Sequence, residues 1–315
     1  MTTTPASTAS ASTTPVGTAL SRSHRFEHRI RRAFVASATT VGLVLIFVLN
    51  PDAALVYATN MFGALRTPGE PAFIAAHRGD RASFPENTLP ALGAVLDSDF
   101  DFVETDIQLT ADGVPVLFHD EAVDRTTNGT GLLVDYTLEQ LKTLDAGSWY
   151  SRDFVYLQVP TLDEFLAIFT SSKKKAMLEL KGVWTEEQVR VVTELIYARG
   201  VQNRVIFEAF DYGTLESLQE AAPVFPRVLI QRYLPDDPVA LANEYGVIAI
   251  LTSYASVEKH PDAVAQMHEA GLGLILYTLN KKGKWSDAIE LGVDGIITDK
   301  PSSLDNWLAK NAPGT

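Results

Sequence analysis

The chain has 315 residues, 46% apolar and 21% charged, enough to bury a sizeable core in one barrel-sized domain or two smaller ones. It contains no cysteine, which excludes disulfide frameworks, thiol catalysis and thiolate metal sites. The formal charge of -13 is unevenly spread: residues 1–33 carry five Arg against one Glu, a surplus of +4, which leaves -17 on the remainder. Such an acidic body argues against nucleic acid as a partner, and any anionic substrate has to be met locally by a few cations or a metal.

The Thr/Ser/Ala/Pro-rich opening and the Arg cluster after it (residues 1–32) predict a disordered, basic tail. Residues 33–51 run for nineteen positions without a charge, long enough to cross a hydrocarbon core of ~30 Å. Because the Arg cluster lies before this run, a span here puts the tail in the cytoplasm and the rest outside. The same run also fits a signal peptide with a cleavage site near Val56-Tyr57-Ala58, which would make the protein secreted; a buried core helix is the third option. The expectation is an uncleaved anchor, then a linker over 52–70 and a folded domain over 71–315.

From residue 71 onward short apolar runs alternate with amphipathic stretches. Strands are predicted at 73–76, 102–109, 114–118, 176–180, 204–209, 227–230, 247–252, 273–278 and 295–298. Between them, "TLDE" at Thr161 and "TEEQ" at Thr185 read as capping boxes that start helices. Val189, Val192 and Ile196 form one apolar face of the second, and Gly200 closes it. Strand-helix alternation over this length predicts a (β/α)8 barrel of TIM type. Nine strands compete for eight places, and Asp112-Gly113 resolves the surplus by making 114–118 the return arm of a hairpin on 102–109.

Barrel enzymes carry their chemistry at the C-terminal ends of the strands. Here the first strand ends in His77-Arg78, the second carries Glu104 and Asp106 on one face, the hairpin returns His119 to their level, and "LELK" places Glu179 and Lys181 two apart. Each alone has an ordinary reading, as a structural donor, a solvated strand face or a local ion pair. Together they crowd carboxylates that need a compensating cation. Carboxylate oxygens without Cys suit one hard divalent ion, Mg²⁺ or Ca²⁺. Two His beside it, with Arg and Lys, suit phosphoryl chemistry in which one imidazole removes a proton and the other donates one.

The segments "HRG", "PENT", "ETD", "TADGVPVLFHD", "RTTNGTG", "LELK" and "GVDGIITDKP" resemble, in order and spacing, the glycerophosphodiester phosphodiesterases. The resemblance covers residues 73–301. It implies a (β/α)8 barrel with a small insertion, here residues 121–160, and hydrolysis of glycerophosphodiesters to an alcohol and sn-glycerol 3-phosphate. It further implies that His77 and His119 are the acid/base pair, that Glu104, Asp106 and Glu179 hold the metal, and that Arg78 and Lys181 contact the phosphate. A cyclic phosphate route through the neighbouring glycerol hydroxyl fits the same family. Substrates in view are glycerophosphocholine, glycerophosphoethanolamine, lysophospholipids or a glycerol-phosphate polymer.

Two stretches depart from the family pattern. Tyr277-Thr278-Leu279-Asn280 stands where Trp-Thr-Val-Asn is common, and "FEAFD" at 207–211 replaces a Ser-Phe-rich version. Glu208 in the latter reads as a salt-bridged strand residue or as an added carboxylate near the metal. Asp120 reads as a loop-orienting residue, and Glu86 and Asn87 as supports for the first strand-helix loop. Asn128 fits a glycosylation pattern but belongs to the family loop, and His260 and His268 read as surface. The alternatives are phospholipase D-like or lysophospholipase D activity, and, from a different class, a silent membrane-tethered binding module, against which the retention of all seven site residues speaks.

Overall fold

In the computed structural model, residues 61–312 are described. Nine strands form one sheet: β1 Phe73–Ala76, β2 Phe102–Leu109, β3 Pro115–Leu117, β4 Lys175–Leu180, β5 Val205–Ala209, β6 Arg227–Gln231, β7 Ala249–Ser253, β8 Gly273–Tyr277 and β9 Gly295–Thr298. The order is β1-β9-β8-β7-β6-β5-β4-β2-β3, and an added β1–β2 pairing closes eight parallel strands into a barrel. β3 is antiparallel to β2 with Ile107 opposite Leu117, so the surplus strand is the hairpin arm. Gly113 makes that turn at φ 78°, a left-handed value that costs glycine little. The expected tail and membrane span at 1–51 lie outside the described residues; among the described residues no helix is long and apolar enough to cross a membrane.

Alternation along each strand sorts its side chains into two cores. Phe73, Ala75, Phe102, Met177, Ile206, Val228 and Ile275 fill the barrel, while Ile74, Ala76, Val103, Leu178 and Phe207 meet the surrounding helices. The helices read as expected from their starts. Thr161 and Thr185 both form complete capping boxes, ahead of helices Leu162–Phe169 and Glu186–Ala198. On the first, Leu162, Phe165, Leu166 and Phe169 recur at helical spacing and are fully buried, each contributing roughly 1.5–3 kcal/mol of burial.

One end of the barrel is sealed by residues assigned above to the linker. Met61 and Phe62 are buried in the interior cluster, and Phe62 stacks on Phe73 at 5.2 Å, which in turn packs on Phe102 at 4.7 Å. An open barrel end would leave these rings wet, so the folded unit reaches back at least to Met61. Gly295 is what lets Phe73 sit there, since a Cβ would come within 2.1 Å of its ring. Below β8, His268 is not a plain surface residue: its Nε2 is 2.9 Å from the buried Asp294, which also accepts the Leu274 and Arg66 amides. Residues 121–160 carry a core of their own (Val123, Leu133, Leu141, Ala146 and Val159 against Val116 and Phe118). They are tied back to the barrel where Tyr150 donates to the Ala82 carbonyl at 2.6 Å.

Candidate active site

Parallel register brings the polar strand ends together. Asp106 on β2 is level with Glu179 on β4, and Glu179 with Glu208 on β5. A cavity of about 150 Å³ at this rim is lined on its polar side by His77, Arg78, Glu104, His119, Glu179, Lys181 and Glu208. Phe210, Ile230, Leu251, Tyr277 and Ile297 line the other side. Asp106 lies beneath, 1% exposed. The seven residues singled out from sequence therefore converge on one site.

Glu104, Asp106 and Glu179 each offer an oxygen within 4.8 Å of the others. Asp106 Oδ1 is buried without a hydrogen-bond partner. Burial and the nearby Asp106 charge push Glu179 up to about 7, and burial with Asp106, Glu208 and Glu179 pushes Glu104 well above the ordinary carboxylate range. Burial also opposes ionisation of Asp106, but Arg78, His119 and Lys181 outweigh it and hold the carboxyl low. Three converging buried carboxylates, one with an orphaned oxygen, fit a hard divalent cation.

The second arm of the site is the loop after β1. Arg78 adopts φ 56° and donates its amide to Glu104 Oε2 at 2.7 Å; its guanidinium reaches Glu86 and, at 3.3 Å, Asp106. Gly79 follows because a Cβ there would meet the Ala91 backbone at 2.6 Å. Asn87 clamps the carboxylate strand, giving Nδ2–H to Asp106 Oδ2 at 2.9 Å and accepting the Thr105 hydroxyl at 2.7 Å. Glu86, nearly fully buried, collects Arg78, Arg81 and Arg125. Lys181 Nζ lies 2.8 Å from Glu179 and 3.7 Å from Asp106.

Both histidines at the cavity have an aspartate at Nδ1. His77 Nδ1 is 2.6 Å from Asp299 Oδ1, and His119 Nδ1 is 2.6 Å from Asp120 Oδ1. Asp299 is held at about 2: burial works against ionisation, and the bonds from His77 and Asn280 with the Arg81 charge prevail. Arg125 and His119 likewise hold Asp120 low. Ionised aspartates fix the proton on Nδ1, leaving Nε2 of each ring as the basic nitrogen. Burial lowers both histidines, so each is neutral near pH 7.

Asp120 thus orients His119 rather than a loop. Asp299 and its hydrogen-bond partner Asn280 were missed as site residues, although "TDKP", which ends the last strand and leaves it, marked the place. Arg81 and Arg125 were missed too, Arg125 although it opens the quoted segment "RTTNGTG". Glu208 is not in a salt bridge among the described residues; it is 1% exposed, its Oε1 has no partner, and burial with the Glu179 and Asp106 charges pushes it well up.

Residues 77–303 match the sequence profile of the glycerophosphoryl diester phosphodiesterase family. The chain belongs to this family. Among its relatives are a glycerophosphodiester phosphodiesterase of Caldanaerobacter subterraneus subsp. tengcongensis, 32% identical over 75% of this chain and 98% of that protein, and one of Bacillus subtilis, 30% identical over 87% and 96%. Among solved structures, an Oleispira antarctica phosphodiesterase in complex with the product sn-glycerol-3-phosphate superposes with a TM-score of 0.70 at 27% identity, covering 76% of this chain and 97% of that one. As a member it is a hydrolase of the glycerophosphodiester phosphodiesterase class.

Proposed function

We propose that this barrel hydrolyses glycerophosphodiesters to an alcohol and sn-glycerol 3-phosphate by acid/base catalysis from His77 and His119, with one divalent ion held by Glu104, Asp106 and Glu179. The observation that carries the proposal is the pair of Asp-oriented imidazoles lining one cavity beside that carboxylate cluster. When bound, Mg²⁺ or Ca²⁺ supplies positive charge that stabilises the developing charge on phosphate oxygens. Arg78 and Lys181 flank the cavity and bind the remaining phosphate oxygens, turning from their carboxylate partners toward the substrate.

One imidazole, through Nε2, takes the proton of the attacking hydroxyl. The other, which takes up a proton when the anionic phosphodiester binds beside it, returns that proton to the oxygen of the departing alcohol as its bond to phosphorus breaks. The attacking group is the adjacent glycerol hydroxyl, closing a cyclic phosphate, or water directly. In the cyclic route water opens the ring with the two histidines in exchanged roles, so the net reaction adds one water. Intramolecular attack gains from proximity, and a cavity of about 150 Å³ holds the glycerol close to both rings. The apolar wall of Phe210, Tyr277, Ile230 and Leu251 also favours a second reading, lysophospholipase D action on lipids with an apolar substituent.

The test uses the full-length chain stripped of metal. Glycerol 3-phosphate release from glycerophosphocholine and glycerophosphoethanolamine is expected once Mg²⁺ or Ca²⁺ is restored, and the ion that restores it is the cofactor. Release of choline and lysophosphatidate from lysophosphatidylcholine alone selects the second reading, and silence on all three rejects both. The charge pattern around residues 33–51 supports a membrane-anchored enzyme whose barrel faces outward. Protease accessibility of the barrel in intact cells tests that placement.

A further inference from the structure

We infer that Glu208 is a fourth carboxylate for the divalent ion, completing a row with Asp106 and Glu179 across β2, β4 and β5. This rests on the ion-binding reading above and adds to its three ligands a residue that the sequence pattern alone left between a salt-bridged strand position and an added carboxylate near the metal. The register sets Asp106 opposite Glu179 and Glu179 opposite Glu208, so all three leave adjacent strands at one level. On β5, Ile206 belongs to the interior cluster and Phe207 and Ala209 to the outer one, which turns Glu208 inward. Its side chain lines the cavity.

The partner accounting decides what Glu208 does there. It is 1% exposed, and Oε1 has no hydrogen-bond partner. Lys181, the cation on the same rim, is engaged by Glu179 at 2.8 Å and lies 3.7 Å from Asp106. Arg78 is shared between Glu86 and Asp106. An acid placed in a strand without a partner is costly unless something else neutralises it. The other buried carboxylate oxygen without a hydrogen-bond partner among the described residues is Oδ1 of Asp106, in the same row. Hard cations take roughly six to eight oxygens, so three carboxylates leave coordination positions, and added carboxylate oxygens favour the larger Ca²⁺ over Mg²⁺. Glu208 therefore raises ion affinity and tilts selectivity toward Ca²⁺.

The experiment is calorimetric titration of the metal-stripped, full-length protein with CaCl₂ and MgCl₂, for wild type, Glu208→Gln and Glu208→Asp. Glu208→Gln is expected to weaken Ca²⁺ binding by about tenfold or more, and Mg²⁺ binding by less. Its ion-free melting temperature should equal or exceed that of wild type, because an amide never carries a charge in this buried row of carboxylates. Wild-type affinity for both ions in Glu208→Gln overturns the inference, as does a lowered ion-free melting temperature with unchanged affinity, which marks a purely structural residue. Should Glu208→Gln fail to fold, Glu208→Asp decides: severalfold weaker Ca²⁺ binding supports the inference and unchanged binding overturns it. A wild-type protein that binds neither ion refutes the ion site itself, a different result from wild-type binding that Glu208→Gln retains.

Discussion

His77 Nδ1 and Asp299 Oδ1 meet at 2.6 Å across 222 residues of sequence, joining the ends of the first and last barrel strands. Those strands are hydrogen-bonded neighbours, with Ala76 opposite Thr298, so barrel closure itself brings the imidazole to its aspartate. Asn280 fixes the aspartate in turn, with Nδ2 at 2.7 Å from Oδ2.

Asp299→Asn should leave the fold intact and lower kcat on the order of 100-fold, because the imidazole loses the partner that sets its tautomer. Asp299 also raises the affinity of His77 for its proton against the larger effect of burial. The limb of kcat/KM that His77 sets should therefore move to lower pH in the variant. Steady-state kinetics from pH 5 to 9 read both effects, and an unchanged kcat would remove Asp299 from the mechanism.

His119→Ala should abolish turnover while keeping melting temperature and ion affinity near wild type, since His119 is a third exposed and holds no part of the core. Glu179→Ala should instead weaken ion binding measurably. Near-normal turnover in His119→Ala would show that another group does the proton transfer.

Glu179 makes ion-free stability depend on pH. Its folded value of about 7 lies above the ordinary 4.5, so its contribution is complete below 4.5 and is lost as pH rises through 7. His77 and His119 act oppositely: burial lowers both, and their contribution grows as pH rises toward 6.5. Comparison with Glu179→Gln isolates the carboxylate. The stability of wild type relative to that variant should fall between pH 5 and 8 without metal, and a saturating divalent ion should abolish the decline. A flat difference without metal would mean that Glu179 does not feel its neighbours.

Glu86 is the anchor for three guanidinium groups, Arg78, Arg81 and Arg125, at 3% side-chain exposure. Glu86→Gln removes the charge and leaves them facing one another, which should cost roughly 3 kcal/mol, or roughly 6–12 °C in melting temperature. Arg125, nearly half exposed, will relax into water, so the loss falls at the low end. Calorimetry of the variant checks this, and a shift below 2 °C, about 0.5 kcal/mol, would make the cluster a minor contributor.

Local chemistry was legible without coordinates. The capping boxes at Thr161 and Thr185, the Asp112-Gly113 turn and the strand alternation depend on neighbours a few residues away, and the structure shows them where the pattern put them. The seven polar strand ends were legible for the same reason, since a barrel places strand ends on one rim whatever the residues between. Met61 and Phe62 were not, because a short apolar pair reads as linker until an open barrel end is there to receive it.

The sequence by itself determined the alternation that makes the barrel and the identity of the groups at its mouth. Tertiary structure decided their partners: Asp299 for His77, Glu86 for three arginines, and, among the described residues, none for Oε1 of Glu208. The physical reason is distance along the chain. A hydrogen bond or ion pair is decided within about 3–4 Å, and residues hundreds apart reach that range only when strand register and barrel closure set it.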